Sequence, residues 1–567
     1  MKKIIKFTVC GFLLPVILAG CSFLSAVRPS SHPYVPEQYS GEAAYHYSLA
    51  VLAQLDGNLA EAIDQLKQAL VIHPGSPYLT TELVSLYVEN DNVDLALSLG
   101  ESALAKNPGN VELRSILGGL YFNRREYNKA IREYQTIIEI DPEHQVAYLY
   151  LATIYAQEKE YDAARKTFQK LLEIDPDNII GMYYYAKTLT QMNQLAEAEA
   201  LYQKIIVQRP AFEAAWLGLA AFYESQQKYD GAVGVYRRYL EMNPARIGFR
   251  VKIAELLIKA NKQEEAQKEF QDVLKVDPAN REVRTALGLL YFDMRRFDAA
   301  IVQFSSLLEE TPGDDKLRYL FASTLEQKGN WNEALIAYQK ISPEFELYAN
   351  AQIHAAMILK KEGRLDDAIR VMGQAISKKN DQAVLYLYLS SLHEDKKDMA
   401  TAEKTIREGL GRFPRNTDLY YVLGTLLEKM NRFEESIKSM EKVLEIDPQH
   451  ADALNFIGYS YADRGIHLEE AEKMIIQALK MKPDNGYILD SLGWVHFKKN
   501  KFDSSLMHLK RALELVPDDA NITEHLGDVY LKIGQDKEAL EYYRKAVKID
   551  PGNSSLKKKL DNLMNKK

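Results

Sequence analysis

From about residue 41 onward, apolar residues recur in short stripes at helical spacing, and the same arrangement returns every 34 residues. Prolines mark the period. They stand at 74, 108, 142, 176, 210, 244, 278 and 312, and again at 414, 448, 483, 517 and 551, with one interval of 35. The lattice runs through Glu346 and Asn380 without its proline and extends backward to Ser40. Counting offsets from each lattice point, offsets 6, 9, 10 and 13 form one apolar stripe. Offset 10 is small, with Gly118, Gly288, Gly424, Gly458, Gly493 and Gly527, seven alanines, Ser390 and one exception, Val84. Offset 22 holds alanine in thirteen units and serine in two, Ser436 and Ser505, with Ala471 displaced by the single insertion. Large partners fall at offsets 9, 13 and 26, as in Leu151, Tyr155 and Phe168. Small residues let two helix backbones approach, so each unit reads as an antiparallel helix pair.

Asp-Pro and Asn-Pro steps such as Asp141-Pro142 and Asn243-Pro244 separate the units. The proline ring disfavours helix in the residue before it and can itself open the next helix. A period of 34 with this small-and-large pattern resembles the tetratricopeptide repeat family over residues 41–551. The resemblance implies an all-α, right-handed α-solenoid of about fifteen hairpins. No hairpin buries its apolar face alone, so the array is expected to fold as a one-dimensional stack.

Two places depart from the lattice. Pro343 comes 31 residues after Pro312, which predicts a short second helix and a local irregularity or hinge within 313–380. After Pro551, Leu556, Leu560 and Leu563 predict a capping helix over 552–567, its lysines a solvated face.

The N-terminus carries a different pattern. Lys2, Lys3 and Lys6 precede an apolar run from Phe7 to Leu18, too short to span a bilayer as a helix. Leu18-Ala19-Gly20-Cys21 then resembles the lipobox of bacterial lipoproteins. That resemblance implies a signal peptide over residues 1–20, lipid attached to Cys21, and, with Ser22 after the Cys, an outer-membrane, periplasm-facing location. Residues 22–40, with Pro29, Pro33, Pro36 and five serines, read as a tether. The only other cysteine is Cys10, so a mature chain beginning at Cys21 has no disulfide or thiolate metal site open to it.

Apolar residues at 47%, charged residues at 26% and a net charge of −8 describe a folded chain without the basic excess of a nucleic-acid binder. Loss of residues 1–20 removes three lysines and leaves the balance more negative still. No zinc-protease, nucleophile-elbow, phosphate-loop or dinucleotide motif is present, and the eleven histidines are scattered. No enzymatic activity, cofactor or metal is expected. Many of the 35 tyrosines, including Tyr87, Tyr121, Tyr202 and Tyr291, fall at core offsets.

On first helices, offsets 7, 11 and 14 lie about a third of a turn from the buried stripe. In tetratricopeptide arrays this line faces the concave groove where peptides dock. No offset-7 residue is lysine, which disfavours a clamp for a C-terminal carboxylate. Late in the chain, offsets 7 and 11 give Tyr421 and Thr425, Asn455 and Tyr459, Asp490 and Trp494, and Glu524 and Asp528. This polar and aromatic ladder is the candidate partner-binding site, its aromatics supplying stiff contact area and its carboxylates orienting a partner's donors.

Asn455-Phe456-Ile457-Gly458-Tyr459, Asp490-Ser491-Leu492-Gly493-Trp494 and Glu524-His525-Leu526-Gly527-Asp528 also resemble the closing repeats of large outer-membrane tetratricopeptide lipoproteins. One of these, from pseudomonads, is the adaptor of a periplasmic carboxyl-terminal processing protease acting on cell-wall hydrolases. The resemblance implies a membrane-anchored adaptor whose partners are proteins or peptide segments. The other function that such lipoproteins suggest is a part in an envelope export or assembly machine, for exopolysaccharide or pili.

Overall fold

The computed structural model describes residues 41–565; the signal-peptide and tether expectations for residues 1–40 lie outside the described part. Every regular element described is helical, 31 helices in all, numbered here α1 (Gly41–Leu55) to α31 (Ser554–Met564). The chain divides into two compact units, residues 41–261 and 262–565. The first holds six hairpins followed by a single helix, Gly248–Lys259. The second opens on Gln263–Val276 and continues through eight hairpins to α31.

The offsets explain the packing. All fifteen residues at the alanine position are fully buried, from Ala62 to Ala539, with Ser436 and Ser505 among them. Each of these two serines donates its hydroxyl at 2.7 Å to a glycine carbonyl on the facing helix, Ser436 to Gly424 and Ser505 to Gly493. A serine therefore substitutes for alanine without leaving a buried hydroxyl unpaired. The small residue at offset 10 lies against the large one at offset 26. A Cβ built on Gly288 would stand 2.7 Å from the Phe304 ring, and one on Gly527 would stand 2.6 Å from the Tyr543 ring.

The boundary prolines do not open helices, contrary to the sequence expectation. Pro142 sits inside a turn in which Asp141 closes the preceding helix through its N–H to Ile137, and its side chain accepts from the Glu143 N–H at 3.2 Å. The residue two places after the proline caps the next helix instead. His144, Asn178, Asn280 and Asp519 each accept an N–H from three residues ahead. Within hairpins the two helices are joined through one left-handed residue at offset 17, such as Gly57, Arg125, Asn431 or Gly534. The hairpin Ala451–Arg464 (α25) and Leu468–Met481 (α26) has two, Gly465 and His467. The inserted residue behind the 35-residue interval is thus absorbed in a turn, and both helices keep their length.

Near Pro343 the second helix, Trp331–Gln339, has 9 residues where the other second helices have 14. Its missing turn is replaced by side-chain bonds: Asp315 accepts the Ser342 N–H at 3.1 Å, and Gln352 donates to the Tyr338 carbonyl at 3.2 Å. The apolar core continues through this stretch from Tyr319 to Leu392.

Candidate functional site

The ladder residues all lie in the unit 262–565, on Thr417–Lys429 (α23), α25, Gly486–Lys498 (α27) and Ala520–Lys532 (α29). The structure gathers them into two internal clusters and one separate, partly open patch. In the first cluster, Asp490 and Trp494 on α27 are each only 7% exposed. His525 Nδ1 on α29 lies 2.8 Å from Asp490 Oδ1, and the His525 ring stacks on Trp494 with centroids 4.0 Å apart and planes at 18°. Trp494 Nε1 donates to Asp463 at 3.3 Å, and the Tyr459 ring approaches His525 at 6.4 Å. Burial opposes charge on His525, yet the facing Asp490 carboxylate, with Asp528 and Glu524 beyond it, raises its pKa above the ordinary histidine value. Tyr459 is pushed up by burial and by Asp463, Asp490 and Glu524.

In the second cluster, Lys559 of α31 binds Glu524 at 2.8 Å and both oxygens of Asp528 at 2.8 and 2.7 Å, while Tyr543 donates to Asp528 at 2.6 Å. Burial works against the Lys559 charge, but these carboxylates raise its pKa.

Asp490, Trp494, Glu524 and Asp528 are therefore occupied by the chain's own side chains, which corrects the picture of a free ladder. Lys559, expected in solvent, is an ion-pair partner. A 35-residue rule was present in the sequence: an acid at offset 7 meets a base at offset 8 of the next period, Asp490 with His525 and Glu524 with Lys559. Upstream the same spacing or nearly so joins Lys360 to Asp395, Lys429 to Glu394 and Arg464 to Glu428. These more exposed pairs contribute about 0–1 kcal/mol each.

The remaining patch is half-buried. Tyr421 stacks on His450 with centroids 5.6 Å apart and meets Phe456 edge-on at 6.4 Å, and the Thr425 hydroxyl bonds back to the Val422 carbonyl. The Asn455 side-chain oxygen is buried without a hydrogen-bond partner in the protein. Among the described ladder residues, Tyr421, Asn455 and Tyr459 are the ones for which no side-chain hydrogen bond within the chain is found.

A third cluster was not foreseen. Glu472 on α26 lies 2.9 Å from His496 Nε2 and 3.3 Å from Lys501, and also pairs with Lys499. Burial would raise its pKa, but these three donors outweigh it and hold the carboxyl down at about 2. Stability from this group is present above the ordinary glutamate range and lost as pH falls from there toward 2. We expect Glu472→Gln to flatten that acid branch in denaturation at pH 6 and pH 3, and an unchanged pH difference would refute the assignment. No cluster of His, Cys, Asp and Glu among the described residues is arranged to hold a metal ion, and no described helix is long and apolar enough to cross a membrane.

Tetratricopeptide repeat models match residues 89–154, 124–182, 155–223, 223–290, 285–346, 417–450 and 491–554, together more than half of the chain. A TPR repeat-containing protein of Pseudomonas aeruginosa is 32% identical over 187 residues, 33% of this chain and 32% of that protein. The matched stretch thus spans about a third of that relative's length. Among solved structures, a tetratricopeptide repeat protein from Parabacteroides merdae is 20% identical over 44% of this chain and 99% of its own, with a TM-score of 0.35. The Cut9-Hcn1 hetero-tetramer of APC/C gives 12% identity, 97% and 99% coverage and a TM-score of 0.36. With its repeat period, its hairpins and these family matches in agreement, the chain belongs to the tetratricopeptide repeat family.

Proposed function

We propose that this protein is a lipid-anchored interaction scaffold at the bacterial outer membrane, facing the periplasm and gathering protein partners. The observation that carries the reading is the pairing of a full array of interaction repeats with the Leu18-Ala19-Gly20-Cys21 motif. Repeat arrays of this family serve as protein-binding scaffolds, and the chain's motifs give no catalytic alternative. In the finer form of the proposal the partners are a processing protease and its cell-wall hydrolase substrates, supported by the resemblance of the closing repeats. The groove residues left to meet a partner are Tyr421, Asn455 and Tyr459, since Asp490, Trp494, Glu524 and Asp528 are engaged within the chain.

Two measurements test this. Cys21→Ala is expected to move the protein from the membrane to the soluble fraction, because acylation supplies about 0.8 kcal/mol per buried CH₂. Retention in the membrane would refute the anchor. A photo-crosslinking residue at Tyr421 or Asn455 is expected to trap the same partner in cells, while one at the exposed Met507 traps none. Equal yields at all three positions would remove the groove assignment. A protease or hydrolase in the adduct supports the finer form; a secretion or pilus component replaces it with the assembly-machine function.

A further inference from the structure

In the unit 41–261 the line of offsets 7 and 11 is nearly free of charge, its six hairpins placing one charged side chain there, Lys187. Two acids stand beside this line, Glu82 on Pro77–Glu89 (α3) and Glu112 on Val111–Asn123 (α5), the first helices of the second and third hairpins. Four acids elsewhere on first helices meet a base on the following one: Glu326 meets His354, Glu428 Arg464, Asp490 His525 and Glu524 Lys559. Glu82 faces Glu112 instead. Burial raises the pKa of both carboxyls, the Glu112 charge raises Glu82 further, and a hydrogen bond from Tyr78 offsets this only in part. No base acts on either acid.

Two buried hydroxyls continue the line along α5. Two other tyrosines at offset 26 donate to an acid at offset 14 or 11 of their own hairpin, Tyr338 to Glu326 at 2.8 Å and Tyr543 to Asp528 at 2.6 Å. In the third hairpin those offsets hold Phe122 and Gly119, and the hydroxyl of Tyr134, a residue 1% exposed, has no partner in the protein. It is aimed at Gly119: apart from that helix, a Cβ built there would find one atom within 4 Å, the Tyr134 hydroxyl oxygen at 3.9 Å. Tyr150 stacks on the Tyr134 ring with centroids 5.3 Å apart. The Ser115 hydroxyl is also buried without a partner. Glu112, Ser115 and Gly119 fall on one face of α5, at i, i+3 and i+7, a span of about 10 Å.

We propose that this line is the docking site of a basic segment of a partner protein, a Lys or Arg side chain entering between Glu82 and Glu112 and the segment's backbone pairing with the Ser115 and Tyr134 hydroxyls over Gly119. The inference rests on the scaffold reading and adds the charge of the partner. Charge complementarity selects the occupant, since two acids that the chain leaves without a base are matched by a cation from outside it. A small cation would use the carboxylates alone. The hydroxyls farther along α5 call for a chain, and three extended residues reach about 10 Å.

In the test, the full chain with Cys21→Ser is immobilised and offered short peptide libraries with random flanks and a central Lys, Arg or Glu. Peptides centred on Lys or Arg are expected to be retained about ten-fold over those centred on Glu, and Glu82→Gln with Glu112→Gln to remove the preference. Tyr134→Phe should weaken retention several-fold while hydrogen exchange in α3 and α5 stays as slow or becomes slower, because it deletes an unpaired hydroxyl. Gly119→Leu, which changes no charge, should weaken retention as well. Equal retention of the three libraries would overturn the proposal, as would a Lys preference that survives the double substitution or ignores both Tyr134→Phe and Gly119→Leu. Spermidine held through Glu82 and Glu112 in place of any peptide would overturn it too, making the occupant a small cation. Such a failure leaves the scaffold reading to its own test, partner capture at Tyr421 in cells.

Discussion

Asp490→Ala is expected to destabilise the closing hairpins by about 3–5 kcal/mol, more than any surface change in the array, because it leaves the His525 charge buried without its partner. The pair lies between first helices of successive hairpins, with Trp494 stacked over the imidazole, so the loss falls on the contact between α27 and α29. Arrays do not unfold as one cooperative block. The measurement is therefore hydrogen exchange of the amides in α27 and α29, where protection should fall while α1 and its neighbours stay unchanged. Exchange in α29 equal to that of the unsubstituted chain would show the pair to be energetically idle.

The same pair sets a direction with pH. His525 has a folded pKa above its unfolded value of about 6.5, so its stabilisation is fully present below that value and disappears as pH rises through the folded one. The groups around it are Asp490, Asp528 and Glu524, with Tyr459 and Trp494 against the ring. Protection in α29 should decline as pH rises from the ordinary histidine value of about 6.5, and His525→Gln should abolish that slope. Persistence of the slope in His525→Gln would assign it to another group. Asp490→Ala is a poor probe of partner binding for the same reason: lost capture would report a loosened hairpin as readily as a missing contact.

The hairpins were legible in the sequence and the stitching between them was only partly so. Alanine at offset 22 and small residues at offset 10 report contacts inside one hairpin, where the register is fixed by a short turn, and every alanine-position residue is indeed fully buried. Contacts between first helices depend on how far each hairpin is rotated against the last, which a 34-residue period does not specify. That is why Asp490 and Glu524 looked available: their partners, His525 and Lys559, stand one residue off the groove line and 35 residues onward. Pro142 and its equivalents marked the boundaries correctly, but the following capping residue, such as His144, starts the helix. The fold tolerated the added residue near Gly465 and His467 because a turn can take a second left-handed residue more cheaply than a helix can take an extra side chain out of phase.

Phe304→Ala should be the largest purely apolar loss that a single hairpin can show, about 3–5 kcal/mol, since the ring is fully buried against the backbone at Gly288. Gly288→Ala alone should cost less, about 1–3 kcal/mol: its Cβ would fall 2.7 Å from the ring, yet another hairpin carries a fully buried alanine at offset 10 together with a fully buried aromatic at offset 26, Ala322 with Tyr338. Gly288→Leu with the ring intact has no space at all. Combined with Phe304→Ala, the same leucine enters the vacated volume, so the double variant should be more stable than the sum of its parts by about 1–3 kcal/mol. The cycle is read from the unfolding of this hairpin by exchange of its helices, Arg281–Asp293 and Phe297–Glu310. Strict additivity would mean that the offset-10 and offset-26 residues do not share one packing site, and would remove the physical basis for reading the hairpin from its small-and-large pattern.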